Sequence, residues 1–222
     1  MSDGHTANRL AVESLAAGDP TGWFEPLYAA ASLGRTSVPW DRGGPQPLLV
    51  NWARDENLSC AGRRAVVIGC GLGDDAEFVA GLGFDTVAFD LSASAIRMAR
   101  HRFPRSDVRY VQADLLDPPA TWPGAFDLVV EVQTVQALPD PERGRAISAV
   151  SGLTAPGGTL VVVTAAAETT EPKSPVPPWP LTRAEIEAFA TGGLVRQRVD
   201  DVRYPAGPGG GRFWLAVFRA GL

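Results

Sequence analysis

The sequence predicts an α/β protein on a mostly parallel sheet, and three observations carry that expectation. Short apolar runs alternate with helix-patterned segments from residue 64 to residue 165, the order that sets parallel strands beside crossover helices. The run Ala65-Val-Val-Ile meets three glycines at alternate positions, Gly69, Gly71 and Gly73, with a helix-favouring segment directly behind. The last two strands are joined by a glycine-rich stretch too short for a crossover helix, so they must pair antiparallel.

Taken in order, residues 1–5 are expected to be disordered. Thr6–Ala17 has helical spacing through Leu10, Val12 and Leu15, and Gly18-Asp-Pro stops it. A second helix, Gly22–Leu33, bears Trp23, Phe24, Leu27 and Tyr28; those aromatics read either as a face packed on the domain or as a lid over a ligand. The loop Gly34–Pro47 contains Val38-Pro-Trp-Asp-Arg-Gly-Gly, where Trp40 is either core or a π-face covering a cationic group. Helix Leu48–Glu56 leads to strand Arg64–Ile68 and helix Asp74–Leu82, then strand Thr86–Phe89 and helix Ala93–Arg102. Strand Val108–Gln112 runs into the polar turn Ala113-Asp-Leu-Leu-Asp-Pro-Pro. Strand Phe126–Val132, helix Pro141–Leu153 and the apolar strand Thr159–Thr164 follow. After the Pro-rich connection Ala166–Pro180, helix Thr182–Phe189 opens on a capping box, Thr182 with Glu185 three residues on. Strands Val195–Val202 and Arg212–Arg219 close the chain. Residues 1–57 are expected to cap the site, and residues 58–222 to form the main domain.

At 222 residues, with 45% hydrophobic and 20% charged content, the chain suits one soluble domain. A net charge of −5 without a basic patch argues against nucleic acid as partner. Cys60, Cys70, His5 and His101 are too scattered for a zinc site. The longest apolar run, Leu160–Ala167, is far short of the about 20 residues that span a membrane. No basic-then-apolar leader opens the chain, so a cytoplasmic protein, monomeric or weakly dimeric, is expected.

The candidate site residues follow the strand ends. Glycines at the first strand-to-helix turn admit a nucleotide closely, and the helix behind offers unpaired N–H groups. Asp90, ending the second strand, is placed to hold both hydroxyls of a ribose. Asp74 and Asp75 stand where a dinucleotide fingerprint has Gly or Ala; they would repel a pyrophosphate and suit a cationic or zwitterionic tail. After the third strand, Asp114 can bond an adenine amino group and Leu115 can pack on the ring. Glu131 closes the fourth strand, near the place where reacting groups meet. His101, on a helix with Arg97, Arg100 and Arg102, reads as a solvated surface residue.

With these residues in view, the block 64–165 resembles the class I S-adenosylmethionine-dependent methyltransferases, which share a Rossmann-like seven-stranded sheet with an antiparallel last strand. Val38-Pro-Trp-Asp-Arg-Gly, Gly69-Cys-Gly-Leu-Gly-Asp-Asp, Glu131 with Gln136-Ala-Leu-Pro and Arg143, Ala155-Pro-Gly-Gly-Thr-Leu and Pro177-Pro-Trp look like the thiopurine and thiol/halide branch and its bacterial relatives. The likeness covers roughly residues 36–190. It implies S-adenosylmethionine as cofactor, held by Trp40, Gly69, Cys70, Gly71, Gly73, Asp75, Asp90, Leu91, Asp114, Leu115 and Glu131. The pattern departs at Leu33 and Ala29, where the branch has tryptophans, and at Val67, where many class I enzymes carry an acid.

The expected function is direct in-line methyl transfer to sulfur, oxygen or nitrogen of a small molecule, a thiol being slightly favoured because it needs little general base. For a hydroxyl or amine acceptor, Glu131 is the expected catalytic base. Two alternatives stand beside this: a catalytically silent S-adenosylmethionine-binding module, and an NAD-dependent oxidoreductase, which Asp74 and Asp75 disfavour.

Overall fold

In the computed structural model, residues 3–59, 62–169, 174–204 and 211–222 are described. Cys60, Lys173 and most of the glycine-rich connection before the last strand lie outside them. Seven strands form one sheet: β1 (Arg64–Ile68), β2 (Asp85–Asp90), β3 (Arg109–Gln112), β4 (Phe126–Val132), β5 (Thr154–Ala165), β6 (Leu194–Tyr204) and β7 (Gly211–Ala220). Their order is β3-β2-β1-β4-β5-β7-β6. Strands β1 to β5 pair in parallel, and β7 runs antiparallel to both β5 and β6.

A period of two sorts the strand residues between two layers. Val66, Ile68, Phe89 and Val129 face α6 (Glu142–Gly152), against Ala146, Ile147 and Val150. Ala65, Val67, Ala88 and Val130 face the other layer. There they meet Leu49 and Trp52 of α3 (Pro47–Asp55), Val79 of α4 (Asp74–Gly81), and Ile96 and Ala99 of α5 (Ala93–Arg102). Both faces are covered, so the strands are continuously apolar.

The sheet is wound outward from β1 in two directions: β2 and β3 lie on one side, β4 and β5 on the other. A crevice opens at the carboxyl ends of β1 and β4, where the winding reverses. Helices α1 (Asp3–Ala16) and α2 (Phe24–Ser32) roof it. Ala7, Ala11, Trp23, Leu27 and Val176 form one apolar cluster there, and Tyr28, Val38 and Ala95 another. The Glu25 carboxylate pins α2 to the start of α5. It accepts from the Ser92 hydroxyl at 2.6 Å and the Ser94 N–H at 3.0 Å, at a helix N-terminus that favours an anion.

Several boundaries differ from the sequence expectation, and helix α1 begins at Asp3, inside the stretch 1–5 expected to be disordered. Strand β5 starts at Thr154, five residues before the expected Thr159, because the chain runs through Pro156-Gly-Gly with a register break opposite Phe126 and Leu128. Gly158 makes this possible: a Cβ there would sit 2.8 Å from the Ala155 carbonyl and 3.0 Å from that of Phe126. Helix α2 begins at Phe24, since the Asp19 carboxylate ties residues 21 and 22 into a turn. Helix α7 (Arg183–Glu187) carries the expected capping box but is one short turn. The closing β6–β7 hairpin pairs from Leu194↔Ala220 to Tyr204↔Gly211, antiparallel as its short connection requires.

Candidate functional site

The turn after β1 builds the floor of the crevice. Gly69, Gly71 and Gly73 have φ of 56°, 52° and 96°, in the left-handed region that glycine enters without strain. Each also leaves room for a particular side chain. A Cβ on Gly69 would collide with Thr134, one on Gly73 with the Tyr110 hydroxyl, and one on Gly71 would lie 2.9 Å from the Tyr28 phenol oxygen.

Asp90 ends β2 beside this turn and is only 7% exposed. One carboxylate oxygen accepts from the Gly71 N–H at 3.0 Å, the other from the Ser92 N–H at 2.9 Å. Burial outweighs those bonds and pushes its pKa up to about 6. Each oxygen keeps a lone pair for a hydroxyl donor. Ser92 caps α5 through the Ala95 N–H, so Asp90 is not needed as the cap.

The segment 38–46 folds over the turn. The Trp40 indole N–H donates to the Tyr28 hydroxyl at 2.9 Å, and the Trp40 ring stands edge-on to both Tyr28 and Trp23 at 5.9 Å between centroids. Trp40 remains 38% exposed, so it lies at the crevice rather than in the core. Burial raises the Tyr28 phenol well above its ordinary range, with the nearby Asp90 charge adding to the effect, so the hydroxyl stays protonated.

The two aspartates behind the turn do something other than the sequence suggested. Asp75 accepts from the Gln46 N–H at 2.6 Å and faces Arg42 at 3.7 Å, while Asp74 pairs with Arg102 at 3.3 Å. Their charge is compensated within the protein and tethers segment 38–46 to α4. The open cationic tail first assigned to them therefore loses its main partner.

Asp114 and Leu115 follow β3. Asp114 is exposed and its carboxylate turns back to the Leu116 N–H at 2.8 Å; Leu115 is buried against the core beneath. Glu131 departs from its expected position. It is fully buried, and one oxygen accepts from the Thr134 and Val135 N–H groups at 2.7 and 2.9 Å. The other oxygen is buried with no hydrogen-bond partner. Burial raises its pKa to about 7. Unlike the other residues expected to hold the cofactor, Glu131 does not line the crevice. Strand β4 is pleated, and this side chain points into the protein while its neighbour Val132 reaches the cavity wall, as does Gln133 beyond the strand end.

A cavity of about 370 Å³ occupies the crevice, in the range of small-molecule sites. Trp40, Gly69, Cys70, Gly71, Gly73, Asp75, Asp90, Leu91, Asp114 and Leu115 all lie on its wall. Cys70 there is a free thiol that burial keeps protonated. Among the wall residues that had no role in the sequence reading are Thr134, Gln133 and Arg42. Gln133 has a φ of 57° and its side-chain oxygen accepts from Arg42 at 2.9 Å. Arg42 follows Trp40-Asp41 directly, which was the available signal. No cluster of metal-ligating side chains occurs among the described residues. Nor is any helix among them long and apolar enough to cross a membrane.

Comparison with known proteins agrees with this geometry. Residues 65–158 match a family model described as a methyltransferase domain. A ubiquinone biosynthesis O-methyltransferase from Thiobacillus denitrificans is 31% identical over 142 residues, 63% of this chain and 53% of that protein. The chain spans about half the length of the curated relatives it matches. Among solved structures, one described under the conversion of a disulfide bond into a thioacetal group during echinomycin biosynthesis superposes with a TM-score of 0.70. It is 22% identical, over 89% of this chain and 93% of that one. An N-methyltransferase of Bradyrhizobium japonicum in complex with S-adenosylhomocysteine gives a TM-score of 0.63 at 23% identity, over 87% and 98%. These likenesses support the class I fold and single out no branch within it.

Proposed function

We propose, for a chain whose residues 65–158 form a methyltransferase domain of the class I fold, that it transfers a methyl group from S-adenosylmethionine to a small molecule. The observation that carries this reading is Asp90: a buried carboxylate at the end of β2, braced by the Gly71 N–H, on the wall of the crevice where the winding reverses.

The wall residues fit that cofactor. Asp90 has lone pairs free for both ribose hydroxyls. Asp114 and Leu115 suit an adenine, one by its carboxylate and one by its apolar surface. Gly69 and Gly71 leave the main chain bare for the aminoacyl part, and Arg42 is a cation for its carboxylate. Trp40 offers an aromatic face to a positive sulfur. Bound there, S-adenosylmethionine supplies an electrophilic methyl group on a sulfonium. The protein's part is to hold and align the reactants and to exclude water under α1 and α2. Glu131 acts as a positioning residue: its carboxylate holds the N–H groups that open the 3-10 turn Val135–Ala137, which forms part of the wall. The acceptor atom is sulfur, oxygen or nitrogen, with a thiol favoured.

Calorimetry with S-adenosylhomocysteine against NADH tests the cofactor, and methyl transfer from labelled S-adenosylmethionine to a panel of thiols, phenols and amines tests the reaction. Tight binding of S-adenosylhomocysteine without any labelled product would replace the enzyme by a silent binding module. Binding of NADH alone would return the oxidoreductase reading.

A further inference from the structure

Gln136 lines the cavity from the 3-10 turn Val135–Ala137 and is only 5% exposed. Strand β4 stops at Val132, opposite Val163, while β5 runs on to Ala165. The Ala165 N–H thus lies past the end of its parallel neighbour and needs a partner from outside that ladder. Gln136 supplies it. Its side-chain oxygen accepts from the Ala165 N–H and from the Thr164 hydroxyl, at 2.8 Å each. A main-chain N–H can only donate, so the oxygen end of the amide is fixed there and the NH2 end faces away from it.

Among the described residues nothing accepts from that NH2 group. Unlike the second Glu131 oxygen, the nitrogen is not sealed in: it keeps contact with open space, and Gln136 is a cavity residue. A buried side chain therefore presents two unused donors in a direction that the end of β5 has set.

The neighbours of Gln136 place this group. Two residues earlier, the Thr134 hydroxyl donates to the Ile68 carbonyl at 3.1 Å and fills the space over Gly69, on the floor read above as holding the cofactor's aminoacyl part. One residue later, Ala137 packs on the roof cluster of Ala7, Ala11, Trp23 and Val176. The Gln136 carbonyl accepts from the Trp179 N–H at 2.7 Å, beside the wall residues Pro177 and Pro178. The amide stands between the cofactor floor and the roof.

Resting on the methyl-transfer reading above, we propose that the Gln136 side-chain amide determines acceptor specificity, donating to an uncharged carbonyl oxygen that the methyl acceptor carries beside its nucleophile. A neutral oxygen fits better than a carboxylate because no cation is left to pair with one. Arg143 is taken up by the Leu138 carbonyl at 3.0 Å and by Glu185 at 2.8 Å. Arg42, the one cation among the described wall residues, bonds Gln133 and faces Asp75, and is assigned above to the cofactor. Asp41, Asp74, Asp75, Asp90 and Asp114 line the same cavity. An anion buried there without a partner costs far more than one neutral donor returns. The assignment concerns the carbonyl and holds for sulfur, oxygen or nitrogen as nucleophile.

The test uses matched acceptors with and without the carbonyl: thioglycolamide and propanethiol, salicylamide and ortho-ethylphenol, anthranilamide and ortho-ethylaniline. Calorimetry on protein saturated with S-adenosylhomocysteine is expected to show the amide of at least one pair binding about tenfold more tightly than its alkyl partner. That ratio should fall to about one in Gln136→Met. It should fall likewise in Gln136→Glu at pH 8.5, where an ionised carboxylate keeps an oxygen for the Ala165 N–H and lacks the donors. Affinity for S-adenosylhomocysteine should be unchanged in both variants. A residue that served Ala165 alone would, when replaced, weaken both members of a pair alike. Equal affinities within every pair, an amide preference that Gln136→Met retains, or tighter binding of thioglycolate, salicylate or anthranilate than of their amides would overturn the inference. So would S-adenosylhomocysteine binding with no acceptor bound. Failure to bind S-adenosylhomocysteine at all would instead remove the cofactor reading on which the inference stands.

Discussion

Tyr28 stands directly over Gly71. The phenol oxygen lies 2.9 Å from the point a Cβ at position 71 would occupy, and the same oxygen accepts the Trp40 indole N–H at 2.9 Å. The N-terminal helices and the β1 turn thus meet at a position where only a hydrogen fits, and the cofactor wall closes there without a covalent link between the two.

Gly71→Ala is expected to cost about 1–3 kcal/mol of stability, since it combines a left-handed φ of 52° with a clash at Tyr28. Chemical denaturation of the single variant and of Gly71→Ala in a Tyr28→Phe background separates the two effects. The double variant should recover the part due to the clash. Equal losses in both backgrounds would mean that the phenol is no obstacle.

Asp90 accepts ribose hydroxyls best as a carboxylate, and its pKa is raised to about 6 by burial. Affinity for S-adenosylhomocysteine should therefore be full above that pH and fall by up to about tenfold per unit below it. Asp90→Asn should weaken binding at pH 7.5 and flatten this dependence. A titration series by calorimetry reads both, and an unchanged slope in the variant would assign the pH effect elsewhere.

For Glu131 the folded pKa of about 7 lies above its ordinary value of 4.5. The folded state holds this proton to higher pH than the unfolded state does, so stability is greatest below about 4.5 and declines as pH rises through 7. Removing the ionisable group should cancel that decline, which is of order 3 kcal/mol for a fully buried carboxyl. Glu131→Gln is therefore expected to gain on the native protein from pH 5 to about 7 and to hold that gain at pH 8 in thermal melts. Parallel curves for the two proteins would rule out a buried titrating carboxyl.

Glu25→Ala removes the carboxylate that joins α2 to the first turn of α5 through Ser92 and Ser94. A cap of this kind is worth about 1 kcal/mol. Hydrogen exchange should accelerate in residues 24–32 and 92–96 and stay unchanged in β4 and β5. Uniform acceleration across the sheet would mean that the contact supports the whole fold rather than the roof.

The parallel sheet, its closing hairpin, the glycine turn and Asp90 were all legible in the chain, because each rests on a local signal. Two-residue alternation, glycines at a strand end and a connection too short for a helix act over a few neighbours, and neighbours in sequence are neighbours in space. Even the roof aromatics were visible as a pair of options. Trp23 and Tyr28 are packed as core and face the cavity at once.

What the chain alone did not determine depends on which groups meet across long sequence distances. Asp74 and Asp75 looked like ligands for a cationic tail until Arg102, Arg42 and the Gln46 N–H were brought to them. Glu131 occupied the right place in sequence for a base, yet the pleat of β4 turns it inward onto two main-chain N–H groups. A carboxylate's role is set by solvent and partners, and those are decided only when distant segments pack. By itself the sequence therefore determined the sheet and where its crevice opens. The tertiary structure decided which of the crevice's charges remain available to a ligand.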